Sequence, residues 1–443
     1  MFPDARGVAR RTGAWLGDLA GQMPFRIGVA VALVCLHLLV FDRAGHERLG
    51  IPFNSHPGEQ PYYSDPDVQS LGWHPRQPHY WSRLLVSRWD AQHYIGFAIR
   101  GISSCPKDGR YAQDWQYMQC GVGWLPAYGL IGGQIADIIH LPPDVTLLLM
   151  SCICAVIVSL IWTSRTIVDR IGKPAAWGTL IAFNAYPSAF YLVTPYTEAA
   201  TFALVLGAYI MMTRQHWVIA GLMIGASTGL RVSAAAFSVG FGIAALLVAW
   251  RRRKAKSADW WHPIAGAALA GWGLMATFIW YKIAINEPWA YLRARHAFGD
   301  TRQWGRLFSL KFYVNGFTAQ HADTVMLLGV YAAIALTFKE LLKKFPIEEL
   351  VYFGVATGLT IVLGVAAVHE YWGLNRYLMA CPLAFLGLGL IARRHFGLFV
   401  LWLLLCAGMY WHIEMCSYLA HGQPSICPCL GKVEFYLPFD VRP

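Results

Sequence analysis

Of 443 residues, 56% are hydrophobic and only 14% charged, with 19 tryptophans and a mean hydropathy of +0.41. Soluble domains carry nearly twice that share of charge, so the composition excludes a soluble globular protein and indicates an integral membrane protein. The net charge of +11 does not point to nucleic acid, because Lys and Arg fall in short clusters between apolar runs, the pattern of topological signals.

In chain order, the first apolar run, FRIGVAVALVCLHLLVF, has no small-residue cleavage site behind it and reads as a retained first span over 26–41. The loop 42–144 that follows is too long for an idle connection. Its first part, rich in Pro, Gly and aromatics, reads as irregular surface structure. From Ser82 to Arg100 the pattern turns helical, with Leu84, Leu85, Trp89, Tyr94 and Phe97 among sparse charges, which predicts an amphipathic helix at the membrane interface. Cys105 and Cys120 flank a polar segment and form a plausible disulfide if this loop faces an oxidising compartment.

The run 121–140 is long enough to cross but contains Pro126, internal glycines and Asp137. Ten further apolar runs follow near 145–163, 174–193, 197–213, 216–230, 232–250, 261–285, 323–338, 349–368, 376–392 and 397–415, making about eleven spans with the first. If 121–140 does not cross, all six basic clusters (the N-terminus with Arg6, Arg10 and Arg11, then SRTIVDRIGK, TRQH, RRRKAK, KELLKK and RRH) share one face. If it crosses, the first cluster opposes the other five, against the positive-inside bias. It is therefore read as an interfacial or re-entrant helix. The expected architecture is a single all-α transmembrane domain over 1–443, N-terminus cytoplasmic, with interfacial helices in the external loop 42–144 and an external tail at 416–443. Cys416, Cys427 and Cys429 of that tail offer a second disulfide; a metal reading of CPC finds no partner at zinc-like spacing.

Parity also puts the other polar clusters on the non-cytoplasmic face. Asp90, in RWDAQHY with Arg88, Trp89 and His93, could serve there as general base toward an acceptor hydroxyl, or could pair with Arg88 or cap local structure. In FNAYPSAFYLVTPYTEAATFAL, which contains Asn184, Thr197 could cap a helix whose first turn carries Glu198, or Tyr196 and Glu198 could line an external site. Arg231, isolated in ASTGLRVSAAAF, is costly unless it meets an anion: a phosphate, or Glu198 as an ion pair. The loop NEPWAYLRARHAFGDTRQWGRLF supplies Arg293, Arg295, Arg302, Arg306 and His296, which either hold an anionic group or form a solvated face. His369, Glu370, Asn375 and Arg376 share a short external turn; Arg376 suits a phosphate or snorkels to headgroups, and the His-Glu pair lacks the second His of a zinc signature. No phosphate-binding Walker loop, dinucleotide fingerprint or metal-ligand spacing is present, which argues against ATP-driven transport.

In this order, RWDAQHY, GWLPAY, NAYPSAFYLVTPYTEA, GLRVSAAAF and NRYLMACPL resemble the mannosyltransferase family of the phosphatidylinositol-glycan class V enzyme and its bacterial relatives, in the GT-C superfamily. The resemblance runs from about 82 to 392. It implies a GT-C-like helical bundle and an inverting glycosyltransferase that uses a polyprenyl-phosphate sugar, typically mannose, and requires no metal or other cofactor. On that pattern Asp90 is the base, and Arg88, Trp89, Asn184, Tyr196, Glu198, Arg231 and Arg376 shape the donor and acceptor pockets; His93, His296, His369 and Glu370 are added as substrate-binding candidates. The expected partners are the lipid-linked donor, a lipid or glycan acceptor and membrane lipids. The expected location is a bacterial inner membrane with the site on its periplasmic face. The rival reading is a secondary transporter, against which the sequence shows no internal repeat.

Overall fold

The computed structural model describes residues 23–43, 90–102, 105, 113–297, 305, 308–311, 313–314, 321–367 and 374–410. Among the described residues the secondary structure is entirely helical. Arg88, Trp89, His369 and Glu370, the N-terminal basic cluster and the 416–443 tail lie outside them.

The first helix, α1, spans Met23–Arg43. Three shorter helices follow in the long loop: α2 (Asp90–Arg100), α3 (Asp114–Gln119) and α4 (Ala127–Ile139). Next come α5 (Pro143–Trp162), α6 (Arg165–Ile171), α7 (Lys173–Ala185), a 3₁₀ segment (Pro187–Val193), α8 (Glu198–Thr213), α9 (Trp217–Leu230) and α10 (Ala235–Lys254). The chain closes with α11 (Trp261–Leu269), α12 (Trp272–Ile285), α13 (Ala290–Ala297), α14 (His321–Lys344), α15 (Ile347–Ala367), α16 (Leu374–Leu378), α17 (Pro382–Arg394) and α18 (Phe396–Met409). Among the described residues six stretches are long and apolar enough to cross a membrane, or seven if the bent pair Pro187–Val193 and Glu198–Thr213 counts as one span. Their outward faces carry exposed Ile and Leu while the core between them is densely aromatic. This is a helical membrane protein.

Three apolar runs expected as uninterrupted spans are divided: 261–285 at Ala270–Gly271 between α11 and α12, and two others at a proline. The run 174–193 leaves the α conformation at Tyr186, whose ψ is 140°, because Pro187 restricts the residue before it and supplies no N–H. The chain continues as 3₁₀ helix and then turns by 93° into α8. In the run 376–392, Pro382 starts a new helix at α17 and leaves Arg376 on the separate short α16.

Both loop stretches read as helical contain helices, α2 and α4. α4 has 13 residues, about 20 Å of helix. It lies against α2, and two glycines set the approach: a Cβ at Gly129 would stand 2.3 Å from the Tyr94 carbonyl oxygen, and one at Gly133 2.5 Å from that of Ala98. α2 buries Ala91, Tyr94, Ile95 and Phe97 and leaves Ile99 and Arg100 outside. Cys105 and Cys120 are joined as a disulfide.

The basic clusters within the described residues gather at one end of the bundle. Arg170 forks onto Glu349 at 3.1 and 2.6 Å, Arg251 meets the adjacent Glu348, and Arg252 reaches Gln215. Glu340 gathers Arg393, Arg394 and Lys344, and Arg393 also donates to the Ile171 carbonyl.

Candidate active site

At the opposite end, four charged side chains from four elements form a continuous chain. Asp90 is the first described residue of α2. Glu198 opens α8 directly after the 93° turn. Arg231 sits where α9 ends, its backbone already extended at φ −151° and ψ 130°. Arg376 comes from α16, whose neighbour Asn375 accepts a hydrogen bond from the Tyr186 hydroxyl at 3.4 Å. The break at Pro187 precedes the turn after which Glu198 opens α8, and Pro382 begins α17 after the short helix that carries Arg376.

Arg376 links two carboxylates. Its Nη1 donates to Asp90 Oδ2 at 2.5 Å, and its Nε donates to Glu198 Oε1. Arg231 donates from Nη1 to the same Glu198 oxygen at 2.6 Å and from Nε to Ser233 Oγ at 2.8 Å. Tyr191 and Tyr196 present their rings to the Arg376 guanidinium at 4.8 and 4.7 Å, and Tyr377 does so for Arg231 at 5.7 Å, each a favourable cation–π contact. With two carboxylates against two guanidinium groups the cluster is formally neutral, the condition under which such charges tolerate burial.

For Asp90, burial pushes the carboxyl up, but the Arg376 guanidinium, helped by its hydrogen bond, prevails and leaves it below the usual aspartate range. Asp90 is therefore ionised at neutral pH and able to accept a proton. His93, one turn along α2, stacks on the Trp124 indole with centroids 3.5 Å apart. Burial brings its imidazole down to about 4 against the opposing pull of Asp90, so it is neutral at physiological pH.

An apolar cavity of about 360 Å³ opens next to this cluster, between α4, α5, α8, α9 and α12. Its wall includes Tyr128, Leu130, Met150, Leu204, Trp272 and Trp280. Close helix crossing shapes it: a Cβ at Gly273 would stand 2.3 Å from the Gly225 carbonyl oxygen. Gly229 and Leu230 also line it, and the next residue is Arg231. Tyr128 on its wall meets Tyr94 edge-on, and Tyr94 meets Tyr196 likewise.

Asp90, Tyr196, Glu198, Arg231 and Arg376 thus converge, with His93 beside them. Of the two readings of Arg231, the ion pair with Glu198 is the one present. Thr197 makes no capping hydrogen bond; its hydroxyl instead lies 3.5 Å from that of Tyr94. Asn184 is not in the cluster. Its amide donates to the Leu180 carbonyl and meets His37, which contacts Tyr410. His296 is also elsewhere, paired with Asp114 at 3.1 Å. Asp114 accepts from Arg293 at 2.7 Å, and Arg293 also meets Glu287, so this part of the arginine-rich loop is tied to the disulfide-closed segment. The sequence reading missed Tyr191, Thr201 and Tyr377. Thr201 stands one helical turn beyond Glu198, a spacing that identifies a shared face; the two tyrosines carried no signal before the fold placed them.

Among the described residues no cluster of three or more His, Cys, Asp or Glu side chains could hold a metal ion. The sequence matches no protein-family model and no curated protein.

Proposed function

We propose that this protein is an integral-membrane glycosyltransferase of GT-C architecture, with the apolar helices forming about eleven crossings and the Asp90 end facing the non-cytoplasmic side of a bacterial inner membrane. It transfers a sugar, mannose on the resemblance, from a polyprenyl-phosphate donor to a hydroxyl of a lipid or glycan acceptor. Asp90 takes the acceptor's proton as its oxygen attacks the anomeric carbon. The bond from that carbon to the phosphate oxygen breaks, and the electron pair leaves with the phosphate. Arg231 and Arg376 stabilise the charge that builds there. The apolar cavity receives the first isoprene units of the donor.

The observation that carries this reading is the buried carboxylate–guanidinium chain, with Leu230, the neighbour of Arg231, on the wall of an apolar cavity: an ionised base and cations, with a place for a hydrocarbon tail. The basic runs gathered at the other end support the orientation. Purified protein incubated with labelled polyprenyl-phosphate mannose and a membrane lipid extract is expected to yield a labelled glycolipid or glycan. Arg231→Glu is expected to weaken donor binding and spare acceptor binding when the two are titrated separately. The 93° break beside buried charges also suits a secondary transporter; substrate uptake into liposomes without any new glycosidic product would favour that function instead.

A further inference from the structure

The arginines that a phosphate needs are already engaged. Glu198 Oε1 accepts from both Arg231 and Arg376, and Glu198 is almost fully buried, with 2% of its side chain exposed. The hollow beside it, lined by Thr201, Arg231, Ser233, Arg376 and Tyr377 among others, measures about 10 Å³, the room one water molecule needs. No phosphate fits while the carboxylate stays where it is.

The second carboxylate oxygen, Oε2, is buried and has no hydrogen-bond partner among the described residues, and the same holds for the Thr201 hydroxyl. Both residues line that hollow and, three apart on α8, share one helix face. A buried acceptor and a buried donor left unsatisfied on residues that line one hollow are each costly. They become complementary if the carboxylate rotates from the arginines toward the hydroxyl.

Resting on the lipid-phosphate reading above, we propose that Glu198 is a resident counter-ion that holds the place of the donor phosphate. An arriving phosphate displaces it from Arg231 and Arg376, and the displaced carboxylate is received by the Thr201 hydroxyl. Before the donor arrives, Glu198 and Asp90 together balance the two guanidinium groups in a low-dielectric site; afterwards the phosphate takes the place of Glu198. Glu198 therefore opposes anion binding, the reverse of a residue that grips substrate.

The test is affinity in detergent for farnesyl phosphate and for the neutral alcohol farnesol, read by tryptophan fluorescence, with thermal unfolding as the folding control. Glu198→Gln keeps the shape and removes the charge. It is expected to bind farnesyl phosphate about tenfold more tightly than the unaltered protein, with farnesol unchanged. Thr201→Val is expected to weaken phosphate binding about threefold in the natural background and to have no effect beside Glu198→Gln. If the unaltered protein prefers the phosphate to the alcohol but Glu198→Gln binds it equally or more weakly, the place-holding role is overturned and the lipid-phosphate reading stands. If neither protein distinguishes phosphate from alcohol, both fall. Should Glu198→Gln not fold, Thr201→Val decides alone, and an unchanged phosphate affinity overturns the proposal.

Discussion

Helix α8 meets a buried ion network at each end, and the two are completed differently. Near its end Tyr209 donates to Glu349 Oε2 at 2.7 Å, while Arg170 donates to both oxygens of the same carboxylate. Both carboxylate oxygens of Glu349 accept hydrogen bonds there, and the network ties α6, α8 and α15 together. At the start of α8, 11 residues or about 16 Å earlier, Glu198 shares one oxygen between two arginines and leaves the other without a partner among the described residues. The first network has the completeness of a structural clamp. The second is left incomplete beside an apolar cavity, where a ligand can complete it.

Mutations can break or sharpen that contrast. The largest effect is expected for Asp90→Asn, which should lower turnover about 10²–10⁴-fold, the range for loss of a general base, while the thermal unfolding midpoint stays close to that of the unaltered protein. Near-normal turnover would remove Asp90 as the base. Glu349→Ala should do the opposite: it leaves Arg170 unpaired and costs about 3–5 kcal/mol of stability, with turnover per folded molecule preserved. A loss of turnover per folded molecule there would abolish the distinction between the two ends.

A smaller effect is expected at the disulfide. Cys105→Ser with Cys120→Ser opens a loop of separation 15 and should cost about 3 kcal/mol by loop closure, seen as a lower unfolding midpoint that reductant does not lower further. Smallest is Asp114→Asn. The pair with Arg293 is about one-third exposed, so screening limits its worth to about 1 kcal/mol or less, and Arg293 keeps Glu287. The Arg293 hydrogen bond holds the Asp114 carboxyl below its usual range. Its contribution is therefore fully present above about pH 4 and lost as pH falls through the lowered value. The Asn variant should show a shallower acid dependence of its unfolding midpoint over that window.

Helices in the 90–100 and 121–140 stretches, the Cys105–Cys120 pair, the four charged members of the cluster and Tyr196 were legible in the chain. In each case the signal was local: hydrophobic period, proline and glycine content, or a charge isolated in apolar surroundings. The misplaced candidates were of another kind. Asn184 lies within the NAYP motif, yet it turns to His37 and the Leu180 carbonyl. His296 lies in an arginine-rich loop, yet that loop packs on the disulfide segment through Asp114.

Composition and periodicity determined that this is a helical membrane protein and which charges had to find partners, because an unpaired charge in an apolar run is costly wherever the chain takes it. Which partners they found was a tertiary decision. Asp90, Glu198 and Arg376 are separated by 108 and 178 positions, and no local pattern relates them. The break at Pro187, the 93° turn into α8 and the glycine-mediated contact of α2 with α4 bring these groups within hydrogen-bonding distance and leave one carboxylate oxygen of Glu198 without a partner among the described residues.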